Sequence, residues 1–286
     1  MQDEITQGNW VWLLGMRVSD LRQVFDYADY LPVPGQIHLG QSDRAITPRV
    51  GVSWHVLPSL RWYANYAAGN MATLPQSRQV SGAAFAPLSN RQVESGIKWQ
   101  PEHANWLASL AVFDIQRNHV LTPDPNNPGF SIQTGKQGSR GIEAEWQGKI
   151  APRWQLRTQA TWLNARILQD NLYATGNRLP YVPRFGMSAW LSHRLQHGSD
   201  TGYWRISGGI VHQGERCADF ANTTRLPAYT RLDLGITYQA KSHSLTLSVE
   251  NAANLRYYSS GVENRPAVIY PGTPRTLSFK LNYDLS

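Results

Sequence analysis

The sequence predicts an all-β protein, an antiparallel up-and-down transmembrane β-barrel built from about 12–13 readable strands. Three observations carry this. Apolar and polar residues alternate along segment after segment, connections alternate between short and long, and tryptophans gather beside the short ones.

The alternation is plainest in 275–286, where Leu277, Phe279, Leu281, Tyr283 and Leu285 interleave with Thr276, Ser278, Lys280, Asn282 and Asp284. A strand sends successive side chains to opposite faces, so one face here is apolar and the other polar. The same pattern sets Leu232, Leu234 and Ile236 against Arg231, Asp233 and Gly235. It sets Leu245, Leu247 and Val249 against Thr246, Ser248 and Glu250. Ile142, Ala144 and Trp146 oppose Glu143, Glu145 and Gln147, and Trp154, Leu156 and Ala160 oppose Gln155, Arg157 and Gln159. Residues 106–116 are apolar on both faces. Strands are expected at 1–6, 10–25, 44–55, 60–68, 90–100, 105–116, 138–149, 154–167, 184–195, 203–214, 229–238, 244–255 and 274–285.

Between them, 7–9, 56–59, 101–104, 150–153, 196–202 and 239–243 are short connections. The long ones are 26–43, 69–89, 117–137, 168–183, 215–228 and 256–273. An up-and-down sheet places alternate turns at opposite ends, so all short turns fall at one end and all long loops at the other. Bacterial outer-membrane barrels have short periplasmic turns and long extracellular loops. Trp54 and Trp62, Trp99 and Trp106, and Trp146 and Trp154 flank three short turns, and Trp10, Trp190 and Trp204 lie near others. Amphipathic rings of this kind suit a membrane–water boundary. The apolar faces are therefore expected to meet lipid and the polar faces the lumen.

Composition agrees. Charged residues are 16% of the chain, hydrophobic ones 41%, and mean hydropathy is −0.43, with no run of apolar residues long enough for a membrane helix. The net charge of +7 is spread singly, without the clusters that nucleic acid requires. Cys217 is a lone cysteine, which excludes an intrachain disulfide. Met1-Gln2-Asp3-Glu4-Ile5 has no basic start and no apolar stretch behind it, so no secretory leader is read there. No Gly-x-Ser-x-Gly elbow or His-Glu-x-x-His pattern supports a barrel hydrolase. His193 and His197 are read as a turn pair, and Glu143 and Glu145 as lumen wall.

Asn251-Ala252-Ala253-Asn254-Leu255-Arg256-Tyr257-Tyr258, followed by Pro271-Gly272-Thr273-Pro274-Arg275-Thr276 and a last strand, resembles the closing region of TonB-dependent outer-membrane receptors. Asn118-His119-Val120-Leu121-Thr122-Pro123-Asp124-Pro125 and Gly176-Asn177-Arg178-Leu179-Pro180-Tyr181-Val182-Pro183-Arg184 are similar to the ferric-siderophore branch. So are Gly214-Glu215-Arg216 and Leu226-Pro227-Ala228-Tyr229. The chain departs from that pattern in ending on Leu285-Ser286 instead of an aromatic residue.

The resemblance implies a plugged barrel of about 22 strands. Residues 1–286 would be its C-terminal wall portion, without the plug and the TonB-contacting segment, and not competent alone. It implies a ferric siderophore as ligand, TonB as partner, outer-membrane lipid as solvent, and no protein cofactor, since the siderophore itself holds the iron. Loop residues suited to a chelate are Tyr173, Arg178, Tyr181, Arg216, Arg225, Tyr257, Tyr258 and Arg265. The alternative expectation drops residues 1–6 and closes twelve strands into a small autonomous pore or translocator.

Overall fold

The computed structural model describes residues 1–27, 37–74, 79–195, 202–262 and 265–283, and every segment in it is strand, turn or irregular. The strands are β1 (Gln2–Gln7), β2 (Trp10–Tyr27), β3 (Ile37–Leu57), β4 (Leu60–Met71), β5 (Leu88–Trp99) and β6 (Trp106–Pro123). There follow β7 (Ser131–Ala151), β8 (Trp154–Gln169), β9 (Phe185–Arg194), β10 (Gly202–Gln213), β11 (Arg216–Cys217) and β12 (Arg225–Leu226). The last are β13 (Tyr229–Ala240), β14 (His243–Glu250), β15 (Tyr258–Val262), β16 (Arg265–Pro271) and β17 (Thr276–Tyr283).

Thirteen of them form one antiparallel sheet in sequence order, β1 through β10, then β13, β14 and β17. These are the thirteen that the alternation predicts. The pairs β11–β12 and β15–β16 are separate hairpins inside two of the long loops. Among the described residues β2 pairs with β1 as well as β3, and β17 pairs with β14 alone, so the twelve-strand closure of β2 on β17 is not formed there.

The register shows the stagger of a barrel wall. Along the hydrogen-bonding direction, Trp10 lines up with Trp54, Trp62, Ile97, Leu110, Ala144, Ala160, Met187, His212 and Thr230. The line begins beside a short turn on β2 and ends beside a long loop on β13. Strands that climb steadily past their neighbours are tilted, as closure into a barrel demands.

Side chains sort onto the faces as the period-2 pattern requires. Leu232, Leu234, Ile236, Leu247, Leu277, Phe279 and Leu281 stay exposed, up to 69% at Phe279. The opposite face holds Glu145 with Arg157 (3.4 Å) and Arg231 bound to Asp233 (3.0 Å) and to Glu250. Wide apolar exposure on one face is costly in water and is the resting state in lipid. On β6, ambiguous in sequence, Leu110 and Val112 lie on the exposed face with Ile97 and Ile142, and Phe113 packs across to Gly141 on the other.

At the short-turn end Trp10 stacks on Trp54 (5.2 Å), Trp99 meets Trp106 edge-on (5.0 Å) and Trp106 stacks on Trp146 (6.1 Å). Trp62 donates to Ser95 Oγ, Trp154 stacks on His193 (4.2 Å) and Trp204 meets Tyr238. His193 thus serves an aromatic contact, and His197 lies outside the described residues. Trp190 does not belong to this girdle. It pairs with Arg157 and Gly209 on the polar face, and a Cβ at Gly209 would fall 1.5 Å from its ring.

Three expected boundaries change. Within the predicted loops 26–43 and 117–137, residues 26–27, 37–43, 117–123 and 131–137 are strand, because β2, β3, β6 and β7 run on toward the long-loop end. The strand expected over 244–255 stops at Glu250, where Asn251 (φ 52) and Asn254 (φ 52) turn the chain through the left-handed region. Leu285 lies outside the described residues.

In the assembled barrel, Leu234→Arg places a charge near the middle of the lipid-facing band. The expected loss is about 2–4 kcal/mol of stability, against less than about 1 kcal/mol for Thr237→Arg on the polar face. Urea unfolding from lipid vesicles measures both.

Candidate functional site

At the long-loop end three loops lock together: 170–184 after β8, 214–228 with its β11–β12 hairpin, and 251–275 with its β15–β16 hairpin. Asn222 is the pivot of the first two. It sits in the left-handed region (φ 60), its Oδ1 accepts from Arg178 N (2.8 Å), and its Nδ2 donates to Arg178 O (2.9 Å). Asn177 Nδ2 donates to Phe220 O (2.9 Å), Tyr181 N donates to Cys217 O (2.8 Å), and Tyr173 stacks on Phe220 (5.3 Å). Buried Asp219 accepts from Thr223 N and Thr224 N and closes the hairpin tip.

Arg216 ties in the third loop. Its side chain is 1% exposed, and Nη2 donates to Tyr258 O and to Ser259 O (3.1 Å). The guanidinium lies over the Tyr229 ring at 5.3 Å. Burial pulls its pKa below the ordinary arginine range. Burial likewise pushes up the neighbouring Cys217 thiol.

The final loop is fastened by the residues that carry the family resemblance. Asn251 is 0% exposed, its N donates to Asp233 (2.8 Å), and its Nδ2 donates to Leu255 O and Thr273 O. Arg275 N donates to Asn254 Oδ1 (3.1 Å), and Gly272 N donates to Tyr257 O (2.7 Å). Only a glycine lets the Tyr257 ring lie there, because a Cβ at Gly272 would come within 2.1 Å of it. Tyr257 then meets Tyr229 (4.2 Å), and its hydroxyl accepts from Arg231. Loop 117–137 joins through Asn171 Nδ2 to Thr122 Oγ1 (3.2 Å). At its tip, hydrogen bonds from Asn127 and Asn126 hold the Asp124 carboxyl below the usual carboxylate range.

The eight loop residues singled out in sequence therefore divide. Arg216 does not reach the lumen, since it is buried as a clamp. Arg178, bound to Glu215 O (2.8 Å) and paired with the Glu215 carboxylate (3.7 Å), is a second clamp. Tyr173, Tyr181 and Tyr257 are half-buried in loop contacts. Arg225, with 63% of its side chain exposed and paired to Glu215, and Tyr258 face solvent. Arg265 opens β16, and its side chain lies outside the described residues. Sequence reasoning missed Asn222 and Asp219 and quoted Glu215 in a motif without giving it a role. For Asn222 the available signal was a short polar residue of the kind that tolerates the left-handed region.

An aromatic-girdled, tilted antiparallel wall with interlocked outer loops defines an outer-membrane barrel of the receptor kind. The chain belongs to the family described as TonB dependent receptor-like, beta-barrel, which it matches over residues 1–255. It is 30% identical over 297 residues to the metal-pseudopaline receptor CntO of Pseudomonas aeruginosa, covering 99% of this chain and 40% of that protein. It is 26% identical to the ferrioxamine B receptor of Salmonella typhimurium, covering 97% and 39% respectively. The chain thus spans about two fifths of these curated relatives. The ferric yersiniabactin uptake receptor FyuA of Yersinia pestis superposes with a TM-score of 0.82 at 19% identity, over 98% of this chain and 44% of that one, which shows the shared fold.

Proposed function

We propose that this chain is the wall and outer-loop section of a receptor that captures a ferric siderophore or related metal chelate for TonB-energised import. The observation that carries the reading is the interlocked rim, set on a barrel whose relatives are named as receptors for ferrioxamine B and metal-pseudopaline. Clamps at Arg178, Arg216, Asn222 and Asn251 hold the loops in one arrangement. Ordered loops spare the ligand the entropy of ordering them. Arg225 and Tyr258 are left to meet an anionic or aromatic chelate. The chelate supplies the iron ligands, so the wall needs none. Catalysis has no part in this reading, and the family is one of receptors and transporters.

Radiolabelled-iron uptake tests it. A receptor-deleted strain carries this section joined to the N-terminal part of a family member. Uptake of at least one ferric chelate is expected, abolished when TonB is removed. Equal entry with and without TonB would leave only a passive pore.

A further inference from the structure

On the polar face, Arg157 and Arg231 each meet a carboxylate, Arg157 at Glu145 (3.4 Å) and Arg231 at Asp233 (3.0 Å) and Glu250. Arg194 on β9 and Arg205 on β10 do not. They stand directly opposite each other in register, and among the described residues neither has an acidic partner. Tyr203 lies between them. The Arg194 guanidinium sits over its ring at 3.9 Å, and Arg205 Nη2 donates to its hydroxyl (3.1 Å). Like charges directly opposite on a sheet are destabilising, and a neutral tyrosine cancels none of that charge. The row runs on through Thr237 and Thr246 to Lys280 on β17. Arg61 and Lys98 are opposed in the same way on β4 and β5, with Lys98 over the Tyr63 ring (5.4 Å). The short-turn mouth of the lumen is thus cationic on several strands.

Trp190 stands on the same face of β9, further from the mouth. Its ring is exposed and lies over Gly209, in the space that a side chain there would need. Gln155, Ser192 and Ser207 form the register row between this ring and the two arginines. A cavity of about 640 Å³ opens here, lined by Trp106, Gln147, Gln155, Arg157, Trp190 and Ser192. Small-molecule sites have volumes of this order. An indole face, a row of hydroxyl and amide groups, and two guanidinium groups without acids match a ligand with aryl rings and several negative charges.

We propose that this patch is a second chelate site, at the short-turn mouth of the lumen, selective for anionic chelates with catecholate or phenolate donors. It rests on the reading of the chain as a chelate receptor and narrows the substrate class. Arg194 and Arg205 hold the anion, and Trp190 stacks on one of its rings. An anion bridging the two arginines also relieves their mutual repulsion. The outer-loop rim takes no part in this site.

The test uses this section joined to a cysteine-free N-terminal part of a family member, purified in detergent. Cys217→Ala with Ser192→Cys leaves one thiol in the section, between the arginines and Trp190. A sulfonate-bearing methanethiosulfonate reads the local charge through its rate of reaction there. Arg194→Gln with Arg205→Gln should slow that reaction roughly tenfold or more and leave the rate of a neutral methanethiosulfonate unchanged. Arg194→Lys with Arg205→Lys should keep most of the rate. The trianionic ferric complex of a hexadentate tris-catecholamide should protect the thiol, and a neutral ferric trihydroxamate should not. Trp190→Ala should weaken the protection while the sulfonate reaction stays fast. Heat-modifiable migration checks that each variant is folded. Should the glutamine variant not fold, the two chelates still decide with both arginines in place. No protection by the catecholate complex, or equal protection by the neutral one, would overturn the proposal. Equal protection by a short polyglutamate peptide would overturn the chelate as occupant. Protection in a receptor that fails TonB-dependent uptake would uphold the site and refute the receptor reading; uptake without protection would do the reverse.

Discussion

Refolded by itself into lipid vesicles, the 286-residue chain is expected to give no heat-modifiable barrel and no solute leakage. Among the described residues β1 and β17 are each paired along one edge only. Thirteen strands in strict antiparallel order leave these two running in the same sense, so pairing them directly would break the pattern that builds the rest of the wall. Each backbone group left without a partner in hydrocarbon costs several kcal/mol. Along the eight residues of β17 this exceeds the 5–15 kcal/mol or so that holds an ordinary domain together. Supplying complementary strands from a family member should restore the shift in gel migration. A heat-modifiable band from the chain alone, accompanied by passive leakage, would show that the wall closes on itself after all.

Much of the wall was legible because lipid on one side and a polar lumen on the other impose a two-residue period. The long β6–β7 and β2–β3 hairpins were read short for the same reason. Beyond the hydrocarbon neither face is forced to be apolar, so the period fades while the backbone pairing continues. The loops were opaque for a different reason. Arg178 and Arg216 look in sequence like cations offered to a ligand, yet their partners, Glu215 O, Tyr258 O and Ser259 O, lie 37 to 43 residues away. Nothing local announces those contacts. The hairpins β11–β12 and β15–β16 are too short to show a period. Asn251 and Asn254 were noticed for their family likeness, and the structure supplies the physical cause: both adopt positive φ and bond the segment that leads into β17, at Thr273 and Arg275.

Arg216→Ala is expected to loosen the rim without unfolding the wall. The substitution removes a buried guanidinium, strands the carbonyls of Tyr258 and Ser259, and opens a void beneath Tyr229. A hydrogen bond to a charged group contributes about 1.5–3 kcal/mol, and the two here share one guanidinium nitrogen and are not additive, so the loss of local stability should be about 2–4 kcal/mol. Every 1.4 kcal/mol is tenfold in an equilibrium, so amide exchange in 214–228 and 256–262 should quicken roughly 30-fold or more, with β13 and β14 unchanged. Arg225→Ala, which breaks an exposed pair with Glu215, should alter exchange little, since such pairs contribute at most about 1 kcal/mol. The two variants separate clamp from contact. Arg216→Ala should weaken chelate binding through loop disorder that is present before any ligand is added. Arg225→Ala should weaken it with the rim intact. Unchanged loop protection in Arg216→Ala, with chelate affinity reduced, would mean that the buried arginine reaches the ligand and does not clamp the rim.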